Sequence, residues 1–236
     1  MLNSDQLAAT RAVLDRNALV KQPHDVCISG LQFAVLPNVL SPQFFASTGF
    51  LANAVSYRAE DAFLEIGPGM GAISVLAALR GAKKVVAIDI NPDAVTNTRI
   101  NASLHGVSNI VDCREGDIFE PLHDSEKFDT IFWNIPFVYI DEAYEYQSLL
   151  EKAVFDPGYR LTERFIRQAA DWLVPNGRLL VGFGDFGDIE RLSNYARSSS
   201  LQMTKVASVK AKEVNEVEFI LFELTPSPIS ITLQEG

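Results

Sequence analysis

The stretch AFLEIGPGMGA, Ala62 to Ala72, joins a short apolar run to a glycine-rich turn and then to a helix-forming segment. Glycines stand at 67, 69 and 71. Glycine adopts positive φ at little steric cost and lets a backbone approach a ligand closely. A helix that follows presents its N-terminal N–H groups to the same ligand. The stretch therefore reads as strand, tight turn and helix. It places a nucleotide-type pocket at the carboxyl end of the strand, where open α/β sheets bind their ligands.

Working outward, KVVAIDI (84–90), NIVDCREGD (109–117), FDTIFWN (128–134) and GRLLVGFG (177–184) repeat the pattern of short runs rich in β-branched or aromatic residues. Helical segments AISVLAALRGA and NPDAVTNTRINASLHG separate the first three strands, the second with Asn91 as N-cap and Pro92 at its first helical position. LTERFIRQAADWLVPNG precedes the fifth strand and DIERLSNYARSSS follows it. Strands alternating with helices give a parallel sheet covered on both faces. The chain then runs LQMTKVASVK and EVEFILFEL, joined by AKEVN, a link too short for a crossover helix, so this pair is antiparallel. The expected fold is α/β: a Rossmann-like, doubly wound sheet of about seven strands with a C-terminal antiparallel hairpin. Residues 1–59 read as a helical extension or lid, 60–225 as the catalytic domain and 226–236 as a tail. Within the extension a helix is expected over Asp5 to Asn17, an extended piece over VCISGLQFAV, and a second helix from Ser41 with Pro42 in its first turn.

Charge and composition narrow the partners. The formal charge is −10 and the 20 Lys and Arg are scattered, which argues against a nucleic-acid backbone and for a small-molecule substrate. Cys27 and Cys113 are too few and too far apart for a disulfide framework, and neither they nor His24, His105 and His123 show metal-ligand spacing. No metal is expected. The N-terminus lacks an apolar leader and no run reaches the length of a membrane span, so a cytoplasmic location away from membranes is expected. Composition leaves the oligomeric state open.

Gly67, Gly69 and Ala72 satisfy the dinucleotide fingerprint, and Asp89 lies 22 residues beyond Gly67, where a ribose-binding acid belongs. The glycines alone do not choose between a nicotinamide dinucleotide and S-adenosylmethionine (SAM). Glu65 would repel a pyrophosphate but could receive the ammonium of a methionine tail. The asparagine motif NIPF after the fourth strand has no role in hydride transfer, and the terminal hairpin is a habit of class I SAM-dependent methyltransferases. The chain resembles that class over residues 60–225, with EIGPGMG, AIDINPDAV, GDIFEP and NIPF in the order of its motifs. The resemblance implies SAM as cofactor. It puts the loop of Gly67, Gly69 and Gly71 under the methionine portion, Asp89 on the ribose hydroxyls and Ile90 against the adenine, with Asp117 at the adenine amino group and the Ile118 backbone beside the ring.

NIPF, Asn134 to Phe137, resembles the NPPY signature of enzymes that methylate planar or amide nitrogens, release-factor glutamine methyltransferases among them. The resemblance implies that the Asn134 side-chain carbonyl and the Ile135 backbone carbonyl accept the two hydrogens of an NH2 group, aiming its lone pair at the sulfonium. Phe137 would offer an aromatic face, and Ile135 and Phe137 are departures from the signature. The following segment, VYIDEAYEYQSLLEKAVFDPGYR, falls where this fold places substrate-covering insertions, and its tyrosines and acids, Tyr139 first, suit a cationic amine or the sulfonium. Phe44, Phe45 and Thr48 are candidates for the opposite wall.

The leading expectation is an N-methyltransferase acting on a small-molecule amine or amide through Asn134, Ile135, Phe137 and Tyr139. One alternative is a cyclase in which the SAM amine attacks its own γ-carbon, giving azetidine-2-carboxylate and methylthioadenosine, as in free-standing azetidine-forming enzymes of the same fold. Another is a SAM-binding protein without turnover.

Overall fold

A computed structural model describes residues 4–211 and 217–227. In chain order the elements are α1 (Ser4–Ala18), β1 (His24–Ile28), β2 (Leu31–Val35), α2 (Ser47–Ala54), β3 (Ala62–Ile66), α3 (Ala72–Leu79), β4 (Lys84–Asp89), α4 (Pro92–Leu104) and β5 (Val111–Glu115). There follow β6 (Phe128–Asn134), β7 (Val138–Ile140), α5 (Leu149–Lys152), β8 (Phe155–Pro157), α6 (Arg160–Ala169), a 3-10 turn, β9 (Leu173–Gly184), α7 (Ile189–Ser198), β10 (Leu201–Lys210) and β11 (Glu218–Pro226).

The main sheet has seven strands in the order β10-β11-β9-β6-β3-β4-β5. β6, β3, β4 and β5 pair in parallel, β9 pairs in parallel with β6, and β11 runs antiparallel between β9 and β10. Strand β3 is buried along its whole length, as a central strand covered on both faces must be. One face of the sheet packs Phe63, Phe132 and Leu180 against α2, α3 and α4, and the other packs Leu64, Ile131 and Leu179 with Phe165, Ile166 and Leu192 of α6 and α7. The Asn91 side chain accepts from the Asp93 N–H at 3.0 Å and Pro92 opens the helix, so α4 starts where its cap dictates.

The first 59 residues differ from expectation in two places. VCISGLQFAV is a closed hairpin rather than a single extended piece, turning through Ser29 (φ 52°) and Gly30 (φ 79°). The second helix begins at Ser47, not Ser41, because the Ser41 carbonyl accepts from both Phe44 and Phe45 N–H and closes a turn that does not propagate. Asn97 and Asn101, one helical turn apart on α4 and fully buried, hold the hairpin down. Asn97 Oδ1 accepts from Leu36 N–H at 2.8 Å, and Asn101 Oδ1 accepts from Ala34 N–H at 2.9 Å. The Asn101 amide also donates to the Met70 carbonyl at 2.8 Å, tying the hairpin to the glycine loop. The link at 212–216 and the tail beyond Ser227 lie outside the described residues. No described helix is long and apolar enough to cross a membrane.

Candidate functional site

A cavity of about 220 Å³ opens at the carboxyl edge of β3, β4 and β6. Its floor is the turn after β3. Gly67 has φ 62°, and a Cβ there would stand 2.8 Å from Nε1 of Trp133, so only glycine lets the loop lie against the indole. The Asp89 carboxylate, set deep on the wall, accepts from Gly69 N–H (3.1 Å) and Asn91 N–H (2.9 Å). Burial pushes its carboxyl up to about 6, against the pull of these hydrogen bonds.

Along the cavity from Asp89, Ile90 and Ile118 present apolar side chains, and Ile118 sits at φ 52°, a left-handed conformation that costs a β-branched residue about 1 to 2 kcal/mol. Strain of this kind gathers at functional sites. Asp117 reaches the cavity as well, with one carboxylate oxygen held by Arg164 at 2.6 Å. Asn134 and Pro136 also line the cavity, as do Leu40 and Thr48 from the N-terminal region. The Asn134 amide nitrogen donates to Ser47 Oγ at 3.3 Å. Neither Asn134 Oδ1 nor the Ile135 carbonyl accepts any hydrogen bond formed among the described residues, whereas the Ile135 N–H is spent on the Gly182 carbonyl at 3.1 Å.

Several residues singled out in the sequence stand elsewhere. Glu65 is 2% exposed and turns to α3, where Ser74 Oγ donates to its carboxylate. Burial pushes its carboxyl up to about 7, opposed by Ser74 and reinforced by Asp89. Gly71 packs on α4: a Cβ there would meet Thr98 Cγ2 at 2.7 Å. Phe137 lies against Phe183 and Phe219, with ring centroids 5.8 and 6.3 Å away. Tyr139 packs on Tyr159 at 5.5 Å, under Arg191. The aromatic side chains on the cavity wall are instead Trp133 and Tyr146. Tyr146 belongs to the segment between β7 and β8, whose short parallel pairing folds α5 across the cavity with Leu149 and Lys152 on its wall. The Trp133 contribution was hidden because a strand buried on both faces shows no alternation to mark which side chains leave the core.

The chain matches the methyltransferase small domain over residues 30–207. It belongs to that family. It is 37% identical over 153 residues to a Methanocaldococcus jannaschii protein named provisionally as a protein N5-glutamine methyltransferase, covering 64% of this chain and 74% of that one. It is 33% identical over 204 residues to the release factor glutamine methyltransferase of Geobacter sulfurreducens, covering 78% of this chain and 68% of that one. Among solved structures, the tRNA m1G37 methyltransferase of M. jannaschii superimposes with a TM-score of 0.62 at 16% identity, over 89% of this chain and 58% of that one.

The methyltransferase is SAM-dependent, and the nicotinamide alternative falls with that result. The cavity fits such a donor: a glycine loop that a Cβ would fill, the partly buried Asp89 carboxylate on its wall and apolar side chains around it. These relatives correct the expectation of a small-molecule substrate, since the substrates in their names are proteins. The exclusion of nucleic acid is corrected too, because the same fold serves a tRNA-modifying enzyme. Net charge is a whole-surface average and does not decide what a local face binds. Ring closure within SAM and binding without turnover have no counterpart among these relatives.

Proposed function

We propose that this methyltransferase transfers a methyl group to the side-chain amide nitrogen of a glutamine in a protein substrate. The observation that carries the reading is Asn134 on the cavity wall with its Oδ1 unclaimed, followed by Ile135, a buried residue off the lining whose carbonyl accepts no hydrogen bond among the described residues. An NH2 group has two hydrogens to place, and two fixed carbonyls hold it in one orientation. The relatives named for glutamine methylation support the same substrate class.

In this reading Gly67 and Gly69 let the loop approach the methionine portion, Asp89 accepts from the ribose hydroxyls, and Ile90 and Ile118 enclose the adenine, with the free oxygen of Asp117 at its amino group. Bound SAM supplies a methyl carbon made electrophilic by its sulfonium. Asn134 and Ile135 orient the amide nitrogen and stabilise the positive charge that grows on it as its bond to the methyl carbon forms and the C–S bond breaks to release S-adenosylhomocysteine, after which the nitrogen gives up one of its N–H protons to water. Pro136 stiffens the turn that aims both carbonyls. Residues 1–59 supply one wall through Leu40 and Thr48, and the β7–β8 insertion supplies the cover that keeps water out.

The test is a methyl-transfer assay with tritiated SAM against purified release factor, total ribosomal protein and transfer RNA. Label appearing in protein and released as methylamine on acid hydrolysis is the expected result, because hydrolysis of N5-methylglutamine frees that amine. Replacing Asn134 by Ala should lower turnover by about 10² to 10³ while SAM affinity is kept, as loss of one orienting group does. Label in RNA alone, or normal turnover by Asn134→Ala, would overturn the reading.

A further inference from the structure

A side-chain amide has two faces of opposite meaning: its oxygen accepts and its nitrogen donates. If the Asn134 amide turned over by half a revolution about its terminal bond, it would offer N–H groups to an acceptor nitrogen that itself carries N–H groups. The terminal torsion of asparagine is broad and roughly two-fold, so the strand geometry of β6 does not choose between the two. Something outside β6 has to.

Two neighbours border the amide. Ser47, the first residue of α2 and only 7% exposed, places Oγ 3.3 Å from the Asn134 amide nitrogen. Among the described residues this is the hydrogen bond that engages the Asn134 side chain. On the neighbouring strand, Gly182 is the register partner of Asn134. A Cβ at 182 would lie 2.8 Å from Asn134 Oδ1, 3.2 Å from Asn134 Cα and 2.7 Å from Leu51 Cδ1. The φ of Gly182 lies outside the left-handed range, so space and not backbone conformation calls for glycine there. The amide thus rests on a bare backbone, with its nitrogen bonded to α2 and its oxygen beside Gly182 without a hydrogen-bond partner among the described residues.

We infer that Ser47 is a positioning residue for methyl transfer: its hydroxyl pins the Asn134 side-chain amide in one plane, beside the space that Gly182 leaves, and so fixes where that amide meets the acceptor NH2. The inference rests on the glutamine-amide reading of the site. It also explains why α2 matters to the chemistry, since Thr48, the next residue, is on the cavity wall and Leu51 closes over Gly182. A Ser47 that served only the fold would change thermal stability and leave the Asn134 amide and its energetic coupling untouched.

The experiment has an arm that needs no methyl acceptor. In the ¹⁵N-labelled full chain, the Asn134 side-chain NH2 signal is assigned by its loss in Asn134→Ala, and its exchange with solvent is followed in the wild type, Ser47→Ala and Ser47→Thr. Ser47→Ala should move the signal and speed its exchange several-fold, and Ser47→Thr, which keeps the hydroxyl, should restore both. The second arm is a double-mutant cycle in the tritium assay with the protein acceptor that yields methylamine. Ser47→Ala should lower kcat about tenfold with SAM affinity unchanged, the worth of one hydrogen bond, and should cost nothing further once Asn134 is already Ala. An Asn134 signal indifferent to Ser47→Ala overturns the inference, as does an equal loss of kcat in both backgrounds. Should Asn134→Ala itself turn over normally, the glutamine-amide reading fails, while the exchange arm still reports separately whether Ser47 holds the amide.

Discussion

Glu65 shows how far a single residue can be read from sequence and where reading stops. Its place two residues before Gly67, at the end of a central strand, was plain, and there it was expected to receive the ammonium of a methionine tail. Which face it would take was not plain, because β3 is apolar on both sides and a carboxylate interrupts neither pattern. The side chain goes to Ser74, and burial pushes its carboxyl from 4.5 up to about 7. A raised native pKa means that the folded state holds a proton the unfolded chain has already lost. The associated stability is complete below pH about 4.5 and disappears as pH rises through about 7. Asp89, pushed up to about 6, contributes in the same direction. Glu65→Gln keeps a side chain for Ser74 to bond and removes the charge. Urea midpoints between pH 4.5 and 8 should therefore fall more steeply for the wild type than for Glu65→Gln, by on the order of 3 kcal/mol over the window. Parallel curves would show that Glu65 is not held in a site hostile to its charge.

Among the elements, those with their own periodicity or cap were legible. β3, β4 and β6 follow their apolar runs to within a residue, and α4 starts at its Asn-Pro signal. The elements that depend on a partner were not. β7 and β8 are three residues each and exist because they pair across a 14-residue insertion, and α2 starts six residues late because a turn at Ser41 intervenes. The same holds for the site: Asp89 and Asn134 could be found from motif order, whereas Trp133, Tyr146 and Lys152 reach the cavity only through tertiary placement. The asparagines of α4 make the point energetically. Asn101, itself fully buried, satisfies the Ala34 N–H and the Met70 carbonyl at once. Asn101→Ala would strand both backbone groups, costing roughly 2 to 4 kcal/mol at 1 to 3 for each unsatisfied group, eased where neighbours still bond. Denaturant midpoints should record that loss, and SAM affinity should fall with it because Met70 lies on the cavity wall. An Asn101→Ala protein of normal stability and affinity would mean that the hairpin is held by its apolar contacts alone.

For the whole molecule, the two large cores and the small one above the cavity imply unequal stability. Leu64, Ile131, Leu179 and Val181 at the centre of the sheet are fully enclosed. The cover over the site is held by a satellite cluster of six buried side chains, Leu14 of α1 with Val138, Ile140, Leu150, Val154 and Phe155. Arg11 joins the two parts, stacking over Tyr144 and Phe155 at 5.3 and 5.2 Å and pairing with Glu151 at 3.7 Å. Segments with few apolar contacts open at free energies well below that of global unfolding. Amide hydrogen exchange should therefore find α1 and residues 138–157 opening together, and far more readily than β6 and β9. A ligand that requires the closed cover must suppress that opening by its binding free energy. S-adenosylhomocysteine at 100 times its Kd should slow exchange in α1 and 138–157 by up to about 100-fold, about 2.7 kcal/mol, and should slow the sheet only where exchange there needs the ligand to leave. Opening of α1 without residues 138–157 would show that Arg11 and Leu14 do not bind the two into one unit. Exchange in 138–157 that ignored the ligand would show that the cover forms no part of the cofactor site.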